Sequence, residues 1–267
     1  MTADFAGQTA LVTGGTTGIG RAVAGQLAAG GAHAIISGRD PGRGRAARAA
    51  VAECGGAVDF VAADLAEVDD VQRLAERALE LGQGCIDVMV NNAALYPHLA
   101  TADQDAGELT LLFNVNVRVP FIVTKTLVPH MIRRGTGVII NLGSIARLIG
   151  LPTTAADGLT KAALTSLSRT WAAEYESQGV RVNTVTPGPT RTSTVADIIE
   201  NFDTQTLLER AKKTHAVRPG GRTRGGRQRR QLLGLTPRKL LLRRQHRRRR
   251  RRNRLDQITV HRTALAP

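Results

Sequence analysis

Six short apolar runs, separated by stretches of helix length, constrain this chain more than any other feature. They are TALVTG at 9–14, HAIISG at 33–38, VDFVAAD at 58–64, IDVMVNNA at 86–93, GVIINLGS at 137–144 and VRVNTVTPG at 180–188. Strands separated by helices imply a parallel sheet covered on both faces, and near-continuous Val, Ile, Leu and Ala suits strands buried on both sides. Right-handed crossovers then give a doubly wound α/β fold in three layers, with ligand at the carboxyl ends of the strands. At 267 residues the chain is long enough to bury the core of one such domain.

The net charge of +15 would point to nucleic acid or an anionic surface if it were spread evenly. It is not: residues 221–267 hold 17 of the 37 Lys and Arg and only one acid, Asp256, so the tail carries +16 and the rest −1. The two cysteines, Cys54 and Cys85, lack metal-like pairing. They argue against a disulfide framework or a zinc site and for a reducing compartment. The N-terminus lacks a basic segment leading into an apolar one, and no apolar run approaches the roughly 20 residues of a membrane span. The expectation is a soluble, cytoplasmic protein with no metal and no membrane.

After the first run comes Thr13-Gly14-Gly15-Thr16-Thr17-Gly18-Ile19-Gly20, and then the helical stretch RAVAGQLAAGG. Glycines there let the backbone turn sharply and approach a pyrophosphate, while the helix that follows offers unpaired N–H groups and its positive dipole end. The second run ends Ser37-Gly38-Arg39-Asp40, where dinucleotide folds read the adenosine ribose. An acid there accepts from the 2′-hydroxyl of NAD, and a basic residue accommodates the 2′-phosphate of NADP. Arg39, with no acid at position 38, favours NADP(H). Asp40 lies about 20 residues past the glycine turn and keeps NAD(H) open, although it reads better as the cap of a helix opened by Pro41.

Taken in order, these motifs resemble the short-chain dehydrogenase/reductase family over residues 9–220, a Rossmann-like fold. The turn Gly14, Thr16, Thr17, Gly18, Ile19 and Gly20 is similar to the family's TGxxxGxG. Asn91-Asn92-Ala93-Ala94 resembles its NNAG, with Ala for the last Gly, and Asp64-Leu65 its adenine-contacting acid and apolar pair. Pro187-Gly188 followed by Thr192 resembles the PGxxxT placed over the nicotinamide end. The resemblance implies that Gly14 to Gly20, Arg39, Asp64, Leu65, Asn91, Ala93, Lys161, Pro187, Gly188 and Thr192 bind the cofactor. It also implies a small-molecule carbonyl or alcohol as substrate, and homo-oligomers.

Family members act through an Asn, a Ser, a Tyr and a Lys. The Tyr exchanges the proton, the Lys holds the ribose and lowers the phenol's pKa, the Ser steadies the substrate oxygen and the Asn keeps a proton-relay water in place. Asn116, Ser144 and Lys161 match three of these, but the Tyr position, four residues before the Lys and one helical turn away, is Asp157. Beside a lysine, Asp157 is expected to be an ionised acceptor near pH 7 rather than a donor. Three readings stay open: a catalytically impaired dinucleotide-binding protein, a one-base change at this codon, or an evolved acid, since burial can raise a carboxyl pKa. Tyr96 reads as an apolar loop contact rather than a substitute donor.

Up to Arg218-Pro219-Gly220 the chain is similar to the family; beyond it the Arg-rich tail is not. With no interleaved aromatics, the tail has no base-stacking surface, which argues against nucleic acid. Reading the codons one base later, Thr223 to Arg251 can decode to a segment that resembles the family's C-terminus and ends Val-Asp-Gly-Gly. The organisation expected is therefore a Rossmann-like oxidoreductase domain over 1–220 and an out-of-frame tail over 221–267. The tail is expected to be largely disordered. The closing strand is expected to be missing, and with it the part of the subunit interface that the family builds from its C-terminus.

Overall fold

The computed structural model describes residues 4–148 and 150–187. The strands are β1 (Thr9–Val12), β2 (His33–Gly38), β3 (Val58–Ala62), β4 (Val88–Asn91), β5 (Gly137–Leu142) and β6 (Val180–Val185). They form one parallel sheet in the order β3-β2-β1-β4-β5-β6, so the chain reverses direction across the sheet between β1 and β4. That reversal opens a crevice at the carboxyl ends of the strands, the place where doubly wound sheets bind ligands. The tail lies outside the described residues.

Alternation along each strand divides the core in two. Leu11, Ile35, Met89, Ile139 and Val182 face α3 (Val68–Leu81), α5 (Val119–Arg134) and α6 (Ala155–Tyr175), meeting Leu74, Leu127 and Trp171. Val12, Ile36, Val88 and Val90 face α1 (Gly18–Ala29) and α2 (Pro41–Ala52), meeting Leu27 and Val51. On this second face Val138, Ile140 and Val185, on β5 and β6, are only partly buried.

Helix α4 (Ala106–Phe113) runs into α5 through a π-helical turn, Asn114–Arg118, giving a continuous helix Ala106–Arg134 of 29 residues. By length and composition alone this helix could cross a membrane. Charged residues such as Arg118 and Lys125 interrupt the apolar run in the sequence, whereas the helix averages over them. Half of its most apolar stretch is buried inside the protein, and Val123, Leu127 and Met131 pack in the core, so it serves here as a core helix.

Candidate functional site

The glycine turn between β1 and α1 is held from the neighbouring strand. Gly14 and Gly18 have φ of 63° and 51°, the left-handed region that glycine adopts without cost. A Cβ on Gly20 would come within 2.4 Å of both the Asn92 Nδ2 and the Gly14 carbonyl, so α1 starts close against the turn because position 20 has no side chain. Asn92 Nδ2 donates to the carbonyls of Thr13 and Gly14, at 3.0 Å each. Thr13 Oγ1 in return accepts from the amides of Asn92 (3.1 Å) and Ala93 (3.2 Å).

Of the two tandem asparagines, therefore, it is Asn92 that clasps the turn. Asn91 is buried and points to the other face, donating to Asn141 Oδ1 at 2.7 Å, and Asn141 donates to Ser168 Oγ at 2.8 Å. This buried chain ties β4, β5 and α6 together. Sequence reasoning named Asn91 and Ala93 and missed Asn92, Asn141 and Ser168. The period of the strand was the available signal: Met89 and Asn91 share the α6 face, and Asn92 falls on the opposite side with Val90.

At the end of β2, Asp40 caps α2, its carboxylate accepting from the Arg43 amide at 2.7 Å with Pro41 opening the helix. That hydrogen bond is the chief reason its carboxyl sits below the usual range. Arg39 beside it is exposed. Asp64 Oδ1 accepts from the Ala66 amide and shapes the turn after β3, while Leu65 is buried in the core beneath it.

The four positions matched to the reacting groups lie just after β5, on α6 and in the π turn. Asn116, 1% exposed, uses both ends of its side chain. Oδ1 accepts from the Leu95 amide (2.8 Å), and Nδ2 donates to the Leu95 carbonyl (2.7 Å) and to Thr160 Oγ1 (3.0 Å). It thus braces the loop after β4 against α6. Ser144 follows β5 and its Oγ accepts from the Ala146 amide at 3.1 Å. Lys161 is 6% exposed and donates to the Leu142 carbonyl, the last of β5, at 3.0 Å.

Asp157 sits in the first turn of α6, half-buried. Burial lifts its carboxyl above the ordinary value, against the opposing pull of Lys161, the Ser144 hydroxyl and His98. Burial also pushes the Lys161 ammonium down, although Asp157 pulls it up. The neighbouring charge favours the ionised form, and desolvation, which the sequence left open as the alternative, acts more strongly in the opposite direction. Asp157, Ser144 and Lys161 are thus brought together beside the end of β5. Pro187 is half-buried just beyond β6, whereas Gly188 and Thr192 lie outside the described residues.

The start of α1 suits an anionic cofactor. Thr17 makes no side-chain capping bond and no acid stands in the first turn, whereas α2 and α4 are capped by Asp40 and Asp105. The first amides and the positive dipole end of α1 therefore remain for a pyrophosphate.

The short chain dehydrogenase family model matches residues 8–202. An uncharacterized oxidoreductase of Thermotoga maritima is 34% identical over 188 residues, which are 70% of this chain and 74% of that protein. A solved short chain dehydrogenase/reductase family protein is 45% identical with a TM-score of 0.70, covering 74% of this chain and 81% of its own. A 3-oxoacyl (acyl-carrier-protein) reductase from Agrobacterium tumefaciens, solved with NADP bound, is 30% identical with a TM-score of 0.71, the match covering 76% of this chain and 78% of that one. With this sheet order, this glycine turn and these matches, the chain belongs to the short-chain dehydrogenase/reductase family of oxidoreductases.

Proposed function

We propose that this chain binds NADP(H) in preference to NAD(H) and couples it to the reduction of a small carbonyl compound or the oxidation of the matching alcohol, in a cytoplasmic setting. The observation that carries the cofactor preference is Asp40. Its carboxylate is engaged as a helix cap, which leaves exposed Arg39 to meet a 2′-phosphate. The uncapped start of α1 takes the pyrophosphate, and Pro187 stands beyond β6 at the same end of the sheet. When bound, the reduced nicotinamide supplies the hydride. Ser144 then holds the substrate oxygen, and Asp157, whose carboxyl burial favours the protonated form, stands where the proton must be delivered.

A second reading is favoured by Asp157 itself. A carboxyl is shorter than a phenol, and Lys161 is turned to the Leu142 carbonyl. Nucleotide binding would then persist while turnover is abolished. Fluorescence titration with NADPH and NADH, followed by NADPH oxidation against a panel of ketones and aldehydes, separates the two. Tighter NADH binding would refute the cofactor assignment, and NADPH binding without turnover would establish the second reading.

A further inference from the structure

The end of β2 carries a steric device that the motifs do not reveal. Gly38 has no left-handed φ, so its backbone would accept any side chain, and the restriction there is space. A Cβ built on Gly38 would stand 2.7 Å from Thr16 Cγ2 and 3.0 Å from Thr16 Oγ1, but 3.5 Å from Thr16 Cβ, an ordinary contact. The conflict therefore comes from the two branches of one side chain. Thr16 is β-branched and stiff at χ1, and it sits in the glycine turn held by Asn92.

We propose that Thr16 is a specificity-determining residue of the nucleotide site: its side chain fills the room that an acid at position 38 needs, and so bars the carboxylate that would read the ribose of NAD. This rests on the reading of the site as one for a nicotinamide nucleotide. Positions 16 and 38 then act as one unit, and the preference for a 2′-phosphate beside Arg39 cannot be reversed by changing either alone. An acid introduced at position 38 is displaced by Thr16 from the ribose, while its charge still opposes a phosphate. Shortening Thr16 to alanine keeps its Cβ at the tolerated distance and removes both branches.

The test is a cycle of Thr16→Ala, Gly38→Asp and the double variant, each titrated with NADPH and NADH by fluorescence. Gly38→Asp is expected to weaken NADPH about tenfold or more without gaining NADH, and the double variant to bind NADH about tenfold more tightly than Gly38→Asp does. A parallel cycle with Gly38→Ala reads the steric conflict without any nucleotide. Gly38→Ala should lower the melting temperature by about 2–10 °C when Thr16 is present and by much less when position 16 is alanine. NADH binding by Gly38→Asp as tight as by the double variant, or a Gly38→Ala cost that does not depend on Thr16, would overturn the proposal. An unaltered chain that binds neither nucleotide would instead overturn the reading of the site, and this assignment with it, whatever the melting temperatures show.

Discussion

Replacing Asn92 by alanine removes one amide group that ties two consecutive carbonyls of the glycine turn to the end of β4. Each of the 3.0 Å bonds to Thr13 and Gly14 contributes about 0.5–1.5 kcal/mol net. Asn92 is half-buried, so water can reach part of what is exposed, and the expected loss is about 1–2 kcal/mol in total. For a domain of this size that is about 2–8 °C in melting temperature. Because the turn must be ordered to receive a pyrophosphate, NADPH affinity should also fall, by up to about tenfold for each 1.4 kcal/mol moved from pre-ordering to the binding step. Asn92→Asp should do at least as much harm, since it aims an acceptor at two carbonyls. Ser168→Ala breaks the end of the buried Asn91–Asn141 chain, away from the turn, and should lower the melting temperature with nucleotide affinity unchanged. Differential scanning fluorimetry and NADPH titration on the same preparations read both quantities. An Asn92→Ala variant that matches the parent in both, or an Asn92→Asp variant that outperforms the alanine, would refute the clasp.

On the second reading, in which Asp157 delivers no proton, Asp157→Tyr places a phenol one turn from Lys161 and should raise ketone or aldehyde reduction by roughly 10²-fold, the lower end of what a general acid contributes, as measured by NADPH oxidation. A working Asp157 acid predicts no such gain. The Asp157 carboxyl is raised above its ordinary 3.8, so the folded chain keeps that proton to higher pH than the unfolded chain. Stability from this group is therefore full below that value and disappears as pH rises through the folded pKa. Asp157→Asn should flatten the fall in melting temperature above about pH 4, where the unfolded carboxyl ionises, and a steeper fall in a pH series would reverse the sign. Arg39→Ala should weaken NADPH and leave NADH unchanged in parallel titrations. Resequencing the gene around codons 220–223 should show a one-base insertion or deletion. Restoring the frame should raise the melting temperature, and on the second reading activity stays near background until Asp157→Tyr is added.

The parallel sheet was legible because its strands are apolar on both faces, and β2 runs over the same residues as its apolar run, 33–38. β4 is shorter than its run, because Asn92 and Ala93 leave the ladder to bond back to Thr13. The glycine turn, Arg39 and the one-turn spacing of Asp157 and Lys161 are local in sequence and could be read directly. The titration of Asp157 could not, since it depends on how deeply α6 packs against β5. The role of Thr16 was hidden for the same reason: Thr16 and Gly38 lie 22 positions apart and meet only because β1 pairs with β2.

The π turn between α4 and α5 bears on how this family member tolerates changes of length. There the Val119 amide bonds to the Asn114 carbonyl, five residues back, which amounts to one residue more than an α-helical turn holds. Deleting any single residue from 114–118 would let the helix close into regular α-helix. α4 and α5 would keep nearly their present phase, because the π turn houses the extra residue, but the widened turn that holds Asn116 to Leu95 and Thr160 would be lost. A surface loop absorbs a deleted codon by relaxing, whereas here the deletion removes the widened turn that aims Asn116. Natural insertions and deletions should therefore collect in the loop between β4 and α4 and be purged from the π turn, where the extra residue sets how Asn116 reaches Leu95 and Thr160.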